Sequence, residues 1–116
     1  MTITYKILGQ SIPATNTWTT IYTVPASNSA VLSTVSVCNT SNAINGRYQL
    51  AVTKSGMSAP TDLNSNTFIV CNSAVANNDT LFLTLGLTLG SNDSVRANVT
   101  IGNANIVFNL FGSEIY

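Results

Sequence analysis

The chain has 116 residues, a formal net charge of zero and no histidine, and charged residues make up only 7% of it. This length suits one domain, which we predict to span residues 1–116. Long-range electrostatics attract such a chain neither to nucleic acid nor to an anionic membrane surface. Without histidine it cannot build the Ser-His-Asp or Cys-His arrangements of nucleophilic enzymes, nor most zinc sites.

Alternation of apolar and polar residues with a period of two predicts strands along the whole chain. The first predicted strand alternates Ile3, Tyr5 and Ile7 with polar residues, and a later run has leucine at every second position from Leu81 to Leu89. This pattern is typical of a strand with one buried face. Segments rich in Gly, Pro, Asn and Asp separate the runs and predict turns. The predicted strands, in chain order, are residues 2–8, 17–24, 30–38, 46–54, 66–71, 80–89, 94–101 and 105–111.

Eight short strands with regular turn signals predict an all-β protein, a single β-sandwich of about eight antiparallel strands. Thr, Ser and Asn together supply 44 residues, and these residue types favour strands and turns over helices. Both a jelly roll and an immunoglobulin-like sandwich fit this spacing. The Cys…Trp…Cys order of immunoglobulin domains is absent, because Trp18 precedes both cysteines. We therefore favour a jelly-roll-like sandwich.

Some predicted strands are apolar on both sides. In the last predicted strand, the second side carries the apolar residues Val107 and Phe111. In the fifth, the second side carries Ile69 and Cys71. A small sandwich has only one interior, so we expect part of this apolar surface to be covered by another protein. Gly86, inside the leucine run, is predicted to mark a β-bulge or a close approach of another backbone.

Side chains that could carry chemistry are few. In the absence of histidine, Lys6 or Lys54 could still act as a general base for a neighbouring serine. However, a lone lysine in a strand more often protects a sheet edge. The four basic residues are spread too widely to form a stripe for nucleic acid. We therefore predict a protein that is not an enzyme and has no cofactor and no bound metal. The basic residues are Lys6, Arg47, Lys54 and Arg96.

The carboxylates are predicted to have structural roles. Two of them together could hydrolyse a glycoside, and Asp79 and Asp93 could meet at a sheet end. However, both aspartates follow an asparagine and come directly before a predicted strand. This pattern predicts Asx turns, in which the carboxylate accepts a hydrogen bond from the backbone two residues on. The four carboxylates are Asp62, Asp79, Asp93 and Glu114.

The cysteines and aromatic residues have ordinary predicted roles. Cys38 and Cys71 lie in strand-like runs and are predicted to be buried free thiols. Trp18, Tyr22 and Tyr48 could form a sugar-binding platform, but they share faces with aliphatic residues, which favours core or subunit contacts. A glycan-binding module remains an alternative, with residues 42–48 as its candidate loop.

Three segments resemble small structural proteins of tailed bacteriophages, particularly phages of cyanobacteria and other aquatic bacteria. The resemblance implies a structural component of the virion and carries no catalytic residue. It is compatible with a location on the capsid or on the tail. The segments read YKILGQSIPATNTWTTIYTVPASNSAVLSTVSVCN at 5–39, ANNDTLFLTLGLTLGSNDSVR at 76–96 and NIVFNLFGSE at 105–114.

From this resemblance and the neutral composition we expect a capsid decoration or cement protein, with a tail, baseplate or fibre component as the alternative. Its partners would be other virion proteins, first of all the major capsid protein, and copies of itself, with trimers suited to threefold positions. We expect neither nucleic acid nor a membrane as a partner. No stretch approaches the ~20 apolar residues of a membrane-spanning helix, so we expect a chain made in the cytoplasm. The resemblance implies that this is the cytoplasm of a bacterial host and that the protein is localised in the virion.

Overall fold

A computed structural model describes residues 1–60, 66–102 and 105–116. Within these residues, eight antiparallel strands form two four-stranded sheets. The β1 sheet has the strand order β1-β8-β3-β6, and the β2 sheet has the order β2-β7-β4-β5. No helix in the described segments has the length and hydropathy needed to cross a membrane. The strands are β1 (Ile3–Ser11), β2 (Thr19–Thr23), β3 (Ser29–Asn39), β4 (Gly46–Thr53), β5 (Phe68–Val75), β6 (Thr80–Leu89), β7 (Ser94–Ile101) and β8 (Ile106–Ile115).

The strand pairing identifies the topology as a jelly roll. The first strand pairs with the last, β2 with β7, β3 with β6 and β4 with β5. These nested pairs are those of one long antiparallel hairpin that is rolled up so that alternate pairs fall in opposite sheets. All eight predicted strands are present, and the predicted jelly-roll-like β-sandwich is confirmed.

The core lies between the sheets and is made of the inward-facing residues of both. Tyr48 of β4 and Phe108 of β8 meet edge to face, with 5.9 Å between ring centroids. The predicted leucine row of β6 faces this core, half-buried from Leu81 to Leu87 and fully buried at Leu89. The other large buried residues are Val24, Leu32, Val35, Val37, Leu50, Val75, Val95, Val99, Ile106 and Leu110.

The first strand has the opposite orientation from the one that its apolar side predicts. Ile3, Tyr5 and Ile7 face outward and are exposed. The side with Lys6 turns inward, because Glu114 of β8 is buried there and forms an ion pair with Lys6. Alternation shows which residues share a face, but it does not show which face is buried. In β1 the buried face is the one that carries the Lys6–Glu114 ion pair.

Three strands run three or four residues past their predicted ends, because each continues through residues that are usually found in turns. The predictions end β1, β5 and β8 at residues 8, 71 and 111, whereas the strands end at Ser11, Val75 and Ile115. β8 supplies hydrogen-bonding partners for β1 as far as Ser11. In β5, Asn72 adopts a positive φ of 55° inside the strand, which local sequence reads as a turn.

Every edge strand carries a β-bulge. Against its inner neighbour, β1 has one extra residue at Leu8, β2 at Ile21, β5 near Asn72 and β6 at Gly86. The bulge predicted at Gly86 is therefore confirmed, with a φ of 67°. The described residues place no atom within 4 Å of a Cβ at this glycine, so the alternative of a close contact there is not found. A bulge interrupts the regular row of free N–H and C=O groups that an added strand would need.

Candidate interaction surface

The outer face of the β1 sheet is an exposed surface with large apolar side chains. Tyr5 is 82% exposed and Phe82 is 69% exposed. Such residues are normally buried, and a cluster of them on one face commonly marks a contact site. The large exposed residues of this face are Ile3, Tyr5, Ile7, Phe82 and Phe111.

Strand register arranges the residues of this face in rows that cross the sheet from β1 through β8 and β3 to β6. Bulky residues fall mostly on β1 and β8, whereas β3 and β6 contribute mostly Ser, Thr, Gly and Val. Phe82 of β6 is the exception, and it lies in the row of Gln10. The three central rows are Tyr5–Ser113–Val31–Thr88, Ile7–Phe111–Thr34–Thr84 and Gln10–Asn109–Ser36–Phe82.

Among the described residues, this outer face carries no charged side chain. Its polar groups are neutral. Gln10 Nε2 donates to Asn109 Oδ1 at 2.6 Å, and the Ser33 hydroxyl donates to the carbonyl of Phe111. The charges of the same sheet lie on its inner side. There the Nζ of Lys6 is 2.6 Å from Oε1 of Glu114, and the Tyr22 hydroxyl donates to Oε2 of Glu114 at 2.5 Å.

This inner cluster ties both chain ends to the other sheet. Hydrogen bonds from Lys6 and Tyr22 hold the pKa of the Glu114 carboxyl below its ordinary value, against the opposing effect of burial. Burial, followed by the hydrogen bond to Glu114, raises the pKa of Tyr22. Glu114 therefore stays ionised and Tyr22 stays neutral near pH 7, the states in which the cluster is fully bonded.

The outer face of the β2 sheet is covered by its own side chains. Trp18 reaches across it to Phe68, with 5.9 Å between ring centroids. Beneath them Ala51 is fully buried although it lies outside the core, and Asn98 Nδ2 bonds to Gln49 Oε1 at 3.1 Å. The two outer faces therefore differ, because the β2 sheet has an aromatic cover and the β1 sheet does not.

Arg96 adds to this cover. Its guanidinium donates to the hydroxyls of Thr53 and Thr20 and to the carbonyl of Met57. Each of the three guanidinium nitrogens thus has a hydrogen-bond acceptor within the chain.

The residues considered for chemistry stay apart. Asp79 and Asp93 lie in the turns at opposite ends of β6 and do not meet. Both bind backbone N–H groups, as predicted, but from other positions: Asp79 accepts from Thr80, and Asp93 accepts from Gly90 and Ser55. The described residues contain no group of three metal-ligating side chains.

The remaining candidates are separated as well. Asp62 lies outside the described residues. Lys6 is bonded to Glu114 rather than placed beside a serine. Lys54 follows β4 in an exposed loop.

The aromatic residues form no common platform. Tyr22 and Tyr48 are buried in the core, whereas Trp18 lies on the outer face of the β2 sheet. Tyr48 is 1% exposed, so the residue proposed for glycan contact in the 42–48 loop is inaccessible. Cys38 and Cys71 are free, as predicted, but the predicted burial is wrong: Cys38 is half-buried and Cys71 is exposed.

Sequence reasoning found part of the exposed apolar surface. Phe111, predicted from the apolar second side of the last strand, lies on the outer face of the β1 sheet, while Tyr5 and Phe82 were assigned no surface role. The signal for Phe82 was its position opposite the leucine row.

No protein-family model, no curated protein and no solved structure matches this chain.

Proposed function

We propose that this protein is a non-enzymatic structural component of a tailed-phage virion, a capsid decoration or cement protein. It acts by adhesion, with the outer face of the β1 sheet buried against a neighbouring protein of the particle. The observation that carries the proposal is an exposed apolar face on which no described residue is charged. The virion setting comes from the sequence resemblance.

The chemistry of this face suits permanent contact. Each square ångström of apolar surface removed from water contributes about 25 cal/mol, and burying charges would oppose this gain through their desolvation. Neutral Ser, Thr and Asn side chains around the aromatic residues offer hydrogen bonds without that penalty. Repeated many times on a shell, modest contacts of this kind stabilise the whole by multivalency.

Location of the chain in images of the intact particle tests the proposal directly. Density on the shell supports a decoration protein, whereas density on the tail establishes the alternative, a tail, baseplate or fibre component. Absence of the chain from the particle would contradict both.

Release from purified particles should depend only weakly on salt. Because the contacts are apolar and neutral, raising the salt concentration from roughly 50 mM to 1 M shortens the Debye length without weakening them. The measurement is the fraction of the chain that stays with particles after sedimentation at each salt concentration. Complete release by high salt alone would contradict attachment through apolar, neutral contacts.

A further inference from the structure

We propose that the outer face of the β1 sheet pairs with the same face of a second copy of this chain, forming a dimer with a two-fold axis parallel to the strands. This inference deepens the proposed function, on which it rests for the idea that the face is a contact surface. It identifies the neighbouring protein that covers this face as a second copy of the chain.

The relief of the face is uneven in a way that favours self-pairing. The β1 and β8 half is raised by Tyr5, Ile7 and Phe111, and the β3 and β6 half is low. Gly86 leaves open space on the low half, since a Cβ there would meet no atom within 4 Å. One half is thus a ridge and the other a trough.

A two-fold axis between β8 and β3 places each ridge in the trough of the other copy. This rotation turns β1 to face β6 and β8 to face β3, and it keeps each row opposite itself. Tyr5 then meets Thr88 of the second copy, and Phe111 meets Thr34. The one bulky residue of the low half, Phe82, meets the row end at Gln10. The facing pairs follow from the register of the three central rows.

Charge permits this pairing. Any charged residue near a two-fold axis faces a like charge from the other copy, which disfavours self-association. The outer face of the β1 sheet has no charge among its described residues, so two copies meet without repulsion. The protein has a formal net charge of zero, which removes long-range repulsion as well.

The size of the face is sufficient for a dimer. Four strands spaced about 4.8 Å apart and about ten residues long cover roughly 600 Å² per copy in projection. Two copies therefore bury about 1,200 Å², the lower bound for stable specific interfaces. Packed sheets align their strands within about 30°, which suits an axis parallel to the strands.

The other surfaces of the chain are less suited to a second copy. All four edge strands are bulged, which disfavours pairing edge to edge. The outer face of the β2 sheet is partly covered by Trp18 and Phe68. A threefold ring needs two different complementary patches, whereas one uncovered face that fits itself closes a dimer. The structure thus favours two-fold over threefold symmetry.

Sedimentation equilibrium of the full chain tests the dimer. Tyr5→Lys places an ammonium group in the proposed interface, and Thr88→Glu places a carboxylate there. Each is expected to weaken dimerisation at least about 100-fold, since an unpaired charge is then buried twice. Ile69→Lys, a matched change of an exposed strand residue in the β2 sheet, should leave the dimer intact. Circular dichroism checks that each variant is folded.

Mixing the two interface variants tests the register. The lysine at 5 of one chain would face the glutamate at 88 of the other, so equal amounts of Tyr5→Lys and Thr88→Glu should form a heterodimer that neither forms alone. Within one chain these positions lie on opposite edges of the sheet, about 14 Å apart. Failure of the mixture to associate would overturn the two-fold arrangement.

Two results separate this inference from the proposed function. A wild-type chain that is monomeric up to roughly 1 mM but binds particles would overturn the dimer and leave the virion role standing. A dimer that is absent from particles would support the inference and contradict the virion role. Dimers that persist unchanged in Tyr5→Lys and Thr88→Glu would show that another surface is used.

Discussion

Replacement of Gly112 by alanine is expected to destabilise the fold by about 3 kcal/mol or more, the upper range for overpacking a well-packed interior. Gly112 lies in β8 between β1 and β3, in register with Lys6 of β1 and Leu32 of β3. A methyl group there would overlap the carbonyl oxygen of Val31 and lie 3.0 Å from Leu8 Cδ1. Since the overlapped atom belongs to the backbone of the central strand β3, the sheet itself must shift.

Two other glycines provide matched controls in urea denaturation. Gly90→Ala adds a Cβ at ordinary distance, 3.4 Å from Asp93 Oδ2, and should change the free energy of unfolding by less than about 0.5 kcal/mol. Gly86→Ala meets no atom but must adopt a positive φ of 67°, which costs about 1 kcal/mol. If all three variants lost the same stability, close strand approach at Gly112 would not be the cause.

Replacement of Lys6 by methionine is expected to cost about 2 kcal/mol at pH 7. Breaking a buried ion pair commonly costs 3–5 kcal/mol because one charge is left unpaired in the interior. Here the Glu114 side chain is 6% exposed, but that of Lys6 is 44% exposed, so water screens the pair and the expected loss is smaller. The measurement is the free energy of unfolding in urea.

The loss from Lys6→Met should disappear in acid. The folded protein holds the Glu114 pKa below its ordinary value of 4.5, so the pair's contribution is fully present above that pH and declines as the pH falls below it. The difference between wild type and variant should therefore narrow from about pH 5 downward. Lys54→Met, a similar change in an exposed loop, should show no such narrowing. A difference that stayed constant from pH 7 to 3 would exclude the ion pair as its source.

Local sequence predicted the number, order and approximate placement of the strands because each strand carries its own alternation. The row from Leu81 to Leu89 faces the core as predicted. The ends of β1 and β8 were missed, because those residues join a strand only through partners distant in the chain, such as Tyr5 and Ser113. Gly112, next to Ser113, is needed because the strands pack closely there. In the sequence alone, a glycine at this position predicts a turn.

The candidate surface was less predictable for a related reason. An apolar row predicts burial, but Tyr5 and Ile7 are exposed, and Lys6 between them is bound by Glu114 on the inner side. No local pattern connects residue 6 to residue 114. Phe111 was predictable because both sides of its strand are apolar, so one side had to face outward.

The bulges of the four edge strands bear on how such a protein tolerates crowding. The proposed role in a virion would place many copies side by side, the condition in which flat, regular edges stack into cross-β fibres. The extra residues at Leu8, at Ile21, near Asn72 and at Gly86 interrupt the regular row of backbone hydrogen-bonding groups that an added strand would need. A protein can therefore be almost uncharged and rich in β-structure, and still be kept at high density without turning into amyloid.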